Sequence, residues 1–109
     1  LLGKVFYNLL DNALRYGGPQ MTSVEITAQE KDGALLLAFE DNGMGIPSGE
    51  KTKIFTHGYG NNTGLGLFLV REILSMGRMT ITENGMPGRG ARFEIRVPAG
   101  AYRMNSTGT

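Results

Sequence analysis

Apolar residues Leu2, Val5, Phe6, Leu9, Leu10 and Ala13 recur at three- and four-residue spacing. This spacing predicts a helix over residues 2–16 with one apolar face. Gly17-Gly18-Pro19 stops it. The period then changes to two. Val24, Ile26 and Ala28 alternate with Ser23, Glu25, Thr27 and Gln29, which predicts a half-buried strand over 23–30. Lys31-Asp32-Gly33 has the composition of an Asp-Gly hairpin turn. It leads into a second strand, 34–40, that is apolar almost throughout. Residues 41–49 hold three Gly and one Pro and read as loop, with a short helical turn over 50–55. Residues 56–64 form a polar, glycine-rich loop. A second helix, 65–76, carries Leu65, Leu67, Phe68, Leu69, Val70, Ile73, Leu74 and Met76 around most of its circumference, so deep burial is expected. Asn62 or Thr63 would cap it, and Gly77 would end it. Strands over 79–83 and 91–97 flank a turn at 84–90. The order is helix, hairpin, loop, helix, hairpin. It predicts an α+β two-layer sandwich: a mostly antiparallel sheet with helices on one face. The other face would be solvated or covered by a partner.

Length and charge narrow the function classes. The 109 residues suit one domain, taken as 1–98 with a polar tail over 99–109. Eleven Lys+Arg stand against ten Asp+Glu, and the basic residues are scattered. No nucleic-acid-binding field follows from that balance. The absence of cysteine excludes disulfides, thiolate metal sites and a thiol nucleophile, and a single His excludes a multi-histidine metal centre. No apolar run approaches the roughly 20 residues of a membrane helix, and no membrane contact is expected of this domain. A cytoplasmic place is expected for it, whether the parent protein is membrane-anchored or soluble. The chain has no initiator Met and opens inside a helical pattern without a cap. It reads as an N-terminally truncated piece of a longer protein. Glycine is in excess, 17 residues, and seven of them fall between Gly43 and Gly66. Average usage would give about 8 in all.

Candidate chemistry lies in three segments. Asn8, Asn12 and Arg15 stack on the polar side of the first helix, with Asp11 beside them. A solvated face is the plain alternative. Such faces favour Glu and Lys, however, whereas Asn is a poor helix former. Carboxamide oxygens can bind a hard cation already neutralised by phosphates, and Arg15 can take a phosphate oxygen. Asp41-Asn42-Gly43-Met44-Gly45-Ile46-Pro47 follows the apolar strand. A carboxylate there can accept hydrogen bonds from a ligand amine, and the glycines admit that ligand to the backbone. An ordinary Asp-Asn-Gly turn is the alternative. Thr63-Gly64-Leu65-Gly66-Leu67 opens the second helix. It offers either an anion site at a helix N-terminus or glycines for close packing. Gly88-Arg89-Gly90 reads as a plain turn, His57 as a lone loop imidazole, and Asn105-Ser106-Thr107 as a chance glycosylation match. Neither GxxxxGK[ST] nor GxGxxG occurs.

Together these segments resemble the ATP-binding catalytic domain of sensor histidine kinases, in the superfamily that also holds gyrase, heat-shock chaperone and mismatch-repair ATPases. Asn8 to Tyr16 resembles the asparagine box, and Asp41 to Pro47 the first glycine box. Lys53-Ile54-Phe55 resembles the start of the phenylalanine box, Thr63 to Leu67 the second glycine box, and Gly88 to Phe93 a last one. The likeness covers residues 1 to about 98 and implies a two-layer sandwich that binds ATP with Mg²⁺. It implies that Asn12, assisted by Asn8, holds Mg²⁺ between the phosphates, and that Arg15 contacts phosphate. Tyr16 would pack by the nucleotide. Asp41 would accept from the adenine amine beside Gly43, Gly45 and Ile46. Thr63, Gly64, Leu65, Gly66 and Leu67 would approach the phosphates, and 56–63 would be the lid.

The resemblance also carries departures. Superfamily hydrolases have Glu where Asn8 stands, and an amide is no general base at neutral pH. Transfer of the γ-phosphoryl rather than hydrolysis is therefore implied. The acceptor would be a His on an upstream helical dimerisation domain, with a response regulator as the indirect partner. The fragment alone would not autophosphorylate. His57-Gly58-Tyr59-Gly60 replaces the aromatic and basic residues usual after Phe55, and the lid is short. Ala91 stands where the family often has Thr or Ser near the adenine-site carboxylate, implying one polar contact fewer. The family's first strand, upstream of the asparagine box, is missing. A non-catalytic nucleotide-binding module and an anti-sigma-type serine kinase on the same fold are the alternatives.

Overall fold

A computed structural model describes residues 2–56 and 66–100, without the side chain of Leu2. The expected roles of Thr63, Gly64 and Leu65, the lid over 57–63 and the tail from 101 lie outside the described residues. The described elements are α1 (Leu2–Tyr16), β1 (Val24–Lys31), β2 (Ala34–Asp41), 3-10 turns at Ser48–Glu50 and Lys53–Phe55, α2 (Gly66–Met76), β3 (Thr80–Glu83) and β4 (Arg92–Val97). The strands pair antiparallel in the order β1-β2-β4-β3. Asp32 and Gly33 both have positive φ, 53° and 82°, as a two-residue hairpin loop whose twist matches its strands requires.

Register decides which side chains meet the helices. Phe39 of β2 pairs with Phe93 of β4, Leu37 with Ile95, and Ile95 in turn with Ile81 of β3. These residues join Val5 and Leu9 of α1, Leu67, Val70 and Leu74 of α2, and Ile54 and Phe55 of the second 3-10 turn in one core. Phe55 meets Phe93 edge-on at 6.1 Å between ring centroids. That geometry suits the ring quadrupoles. Leu74 is fully buried, so its truncation to Ala is worth about 2–5 kcal/mol. The far face of the sheet presents Glu25, Thr27, Glu94 and Arg96 on either side of Leu36 and Ala38 of β2.

Three sequence expectations need correction. Strand β1 is not half-buried. Val24 alone is partly covered and Ile26 is 59% exposed, because β1 is the edge strand and the core under the helices ends at β2. Helix α2 is not buried all round: Leu67, Val70 and Leu74 face the core, whereas Leu69 and Met76 are exposed. A one-sided stripe is what a two-layer architecture demands of a helix, whatever its outer residues. On α1, Val5, Leu9 and Ala13 are buried, but Phe6 and Leu10 are on its exposed flank. In addition, the left-handed residue after α2 is Arg78 (φ 61°), one position past Gly77. The Met79 N–H then closes back on the Leu74 carbonyl at 2.9 Å.

Candidate functional site

The loop after β2 is gripped from two sides. On one side lies the end of α1. Met44 N–H donates to the Gly17 carbonyl at 2.9 Å, and a Cβ on Gly43 would stand 2.7 Å from Gly17 Cα, so only glycine fits. On the other side lies the β3–β4 turn. Gly88 N–H donates to the Met44 carbonyl at 2.8 Å, and Gly45 (φ 74°) lies against the Gly90 and Met86 carbonyls. Asn42 locks the base of the loop: its Oδ1 accepts from Thr22 and Ser23 N–H at 2.8 and 3.1 Å, and its Nδ2 donates to Thr22 Oγ1.

Asp41 sits at the centre of this grip, partly buried. Its Oδ1 accepts from Gly43 N–H at 2.8 Å and from Ala91 N–H at 3.1 Å. Among the described residues Oδ2 has no such partner. The carboxylate is thus oriented by the protein and keeps one oxygen for something else. Ala91 has no side-chain hydroxyl to offer, and it meets Asp41 through its backbone N–H alone. Ile46, next along, is partly buried against the core and anchors the loop there. Tyr16 is 45% exposed near the end of α1.

The asparagine stripe runs back from there to the middle of α1. Asn8 and Asn12 are each half-buried. Asn8 Oδ1 lies 3.9 Å from where a Cβ on Gly66 would stand, which puts the amide against the first turn of α2. Asn8 Nδ2 is buried and has no hydrogen-bond partner among the described residues. Such a group costs about 1–3 kcal/mol if nothing binds it. Leu67 is a core residue, so only its backbone can serve a ligand. Arg15 is exposed and ion-paired with Asp11 at 2.8 Å. The hydrogen bond that Arg15 donates to Asp11, and then the Asp11 charge, raise the guanidinium pKa above its usual value. From Gly17, against the glycine loop, to Asn8 the helix runs nine residues, about 14 Å at 1.5 Å per residue.

Sequence reasoning missed three features. Asn42 was read as a turn residue, and only its partners reveal it as the loop's lock. Gly90 was read as a plain turn, but a side chain there would collide with the Asp41 carbonyl. The third is a buried ion pair. Lys51, just after the first 3-10 turn, donates its Nζ to Glu83 Oε1 of β3 and to the Gly85 carbonyl at 2.8 Å. Glu83 Oε2 accepts from Gly85 and Arg92 N–H at 2.9 and 3.0 Å. The only signal in the sequence was a charged residue at an inward position of β3, visible once the strand's period is set by Ile81.

Other surfaces hold less. A cavity of about 460 Å³ beside Asp41 is lined also by Ser23, Val24, Glu25, Glu40, Asn42 and Arg89. Glu25 and Glu40 belong to the sheet face away from the helices, whereas Val24 and Asp41 pair on the face toward them, so this cavity lies at the end of the β1–β2 pair. No group of three or more His, Cys, Asp or Glu among the described residues could hold a metal, and no described helix is long and apolar enough to cross a membrane.

Comparison with known proteins agrees with this arrangement. Residues 1–101 match the family model of histidine kinase-, DNA gyrase B- and HSP90-like ATPases. The alginate biosynthesis sensor protein KinB of Pseudomonas aeruginosa is 35% identical over 100 residues, 87% of this chain and 17% of that protein. The sensor protein KdpD of Escherichia coli is 36% identical over 105 residues, 90% of this chain and 12% of that protein. The chain therefore spans less than a fifth of either relative. Among solved structures, a mycobacterial sensor histidine kinase, MprB, superposes with a TM-score of 0.77 at 26% identity, covering 89% of this chain and 69% of that one. Full-length ShkA in complex with AMPPNP also superposes with a TM-score of 0.77 at 26% identity, covering 94% of this chain and 23% of that one.

Proposed function

The chain belongs to the histidine kinase-, DNA gyrase B- and HSP90-like ATPase family, and we propose that it is the ATP-binding catalytic domain of a sensor histidine kinase. In this reading it binds Mg·ATP and gives the γ-phosphoryl to a histidine on a separate helical domain of the same protein, from which a response regulator is served. The domain would comprise residues 1–98, with 99–109 as a tail, and would act in the cytoplasm.

The observation that carries the reading is the Asp41 carboxylate. One oxygen is held by two backbone N–H groups and the other is left at a loop narrowed to glycine. That is an acceptor for an amine on a flat ring, as adenine presents. Asn12 and Asn8 lie about 8 and 14 Å back along α1 from Gly17, within the reach of an extended nucleoside triphosphate. The buried Asn8 amide, without a partner among the described residues, supports a ligand completing that part of the helix. Asn8 and Asn12 fit Mg²⁺ only as a cation arriving with phosphates, because they are neutral oxygen donors and no carboxylate cluster accompanies them among the described residues. Bound there, Mg²⁺ would neutralise charge developing on the transferred group. The backbone of Gly66 and Leu67 at the start of α2, with Thr63, Gly64 and Leu65 before it, would approach the phosphates. Arg15 would exchange Asp11 for a phosphate oxygen. Asn8 offers no general base for water, so transfer is favoured over hydrolysis.

Labelling of the full-length protein with γ-labelled ATP tests this reading. The expected product is an acid-labile, base-stable phosphoramidate on histidine. An acid-stable phosphoserine, or no nucleotide binding at all, would overturn it.

A further inference from the structure

We propose that the buried Lys51–Glu83 pair is a positioning device for base recognition, holding the 84–91 turn so that Asp41 presents its second oxygen to a purine amine. The inference rests on the nucleotide reading above.

Glu83 has no solvent exposure in its side chain, and Lys51 has 20%. An apolar pair would fill the same space without the cost of desolvating two charges. What charge and shape add here is direction. Where β3–β4 pairing ends, at Glu83 and Phe93, Gly85 and Arg92 N–H are backbone donors outside that ladder. Both are taken by one carboxylate oxygen. The other oxygen is taken by Lys51, whose ammonium also holds the Gly85 carbonyl at 2.8 Å. The neck of the turn is further closed by Asn84 N–H on the Arg92 carbonyl at 2.9 Å. Beyond that neck the turn touches the site twice: Gly88 N–H reaches the Met44 carbonyl, and Ala91 N–H reaches Asp41 Oδ1. Lys51 arrives from the segment that follows Gly45 and Ile46. The pair therefore ties the two chain segments that flank the Asp41–Gly45 loop. A satisfied polar network of this kind fixes one arrangement where apolar packing would tolerate several.

The test compares affinity for ADP with that for IDP, which carries an oxygen in place of the purine 6-amine, on the full chain. Asp41→Asn calibrates the reading and should abolish the preference for ADP. Lys51→Met should reduce that preference about tenfold, through weaker ADP binding with IDP affinity unmoved, the size of one charge-assisted hydrogen bond. Lys51→Arg should restore it. Glu83→Gln, which keeps the shape and one acceptor, should move in the direction of Lys51→Met and serves if that variant does not fold. A lowered melting temperature with an unchanged ADP preference in both Lys51→Met and Glu83→Gln would overturn the positioning role and leave the nucleotide reading standing. An unchanged preference in Asp41→Asn would overturn both.

Discussion

The C-terminal end and the middle of α1 pose opposite problems. At Gly17 the neighbouring loop is set without a ligand, the second Asp41 oxygen apart: Asp41 Oδ1, the Gly43 and Ala91 amides and the Met44 carbonyl are all bonded within the protein. At Asn8 the site is unfinished, with a buried amide that no described residue satisfies. The first end is preorganised and should recognise a base with little rearrangement. The second is held in tension by an unmet polar group, and a ligand that satisfies it gains what the free protein forgoes. In the proposed reading, recognition and reactivity would fall at separate places along one helix.

Substitutions at each place should behave differently. The largest effect is expected from Asn12→Ala: phosphoryl transfer by the full-length protein should fall by about 100- to 1000-fold, as when one preorganised charge-stabilising group is lost. Adenosine binding without phosphates should be unchanged, and a parallel loss there would erase the division. Asp41→Asn should raise the Kd for ADP about 10- to 100-fold, the worth of a hydrogen bond to a charged group, read by calorimetry with or without Mg²⁺. Asn8→Leu should stabilise the nucleotide-free chain by about 1 kcal/mol, because it removes the unmet amide, and raise its melting temperature by roughly 4–8 °C. Destabilisation by that change would show that the amide is satisfied in the free protein. Smallest is Arg15→Ala in the free chain. Its partner is an exposed Asp11, so the melting temperature should stay within error of wild type.

Where the sequence was readable, it was because local period and turn chemistry act without tertiary help. The helix over 2–16, the Asp32-Gly33 hairpin and the four strands lie within one or two residues of expectation. Burial was less readable. Ile26 alternates as a core residue should, but alternation says which face a residue takes and not whether anything covers that face. Leu69 and Met76 illustrate the same limit on α2. In the site, Asp41, Gly43 and Gly45 were legible because a carboxylate between a strand and glycines is a local pattern. Glu83 and Lys51 were not, since 32 positions separate them and each alone looks like a surface charge.

The exposure of β1 has a consequence for the life of the protein in a crowded solution. Among the described residues no strand pairs with its outer edge, and such an edge is the template by which strands of different molecules join. Glu25, Glu30 and Lys31 on that edge strand put charge where an incoming strand would have to lie against it. Replacing them with Thr or Val should promote edge-to-edge association, so those three charges act against assembly.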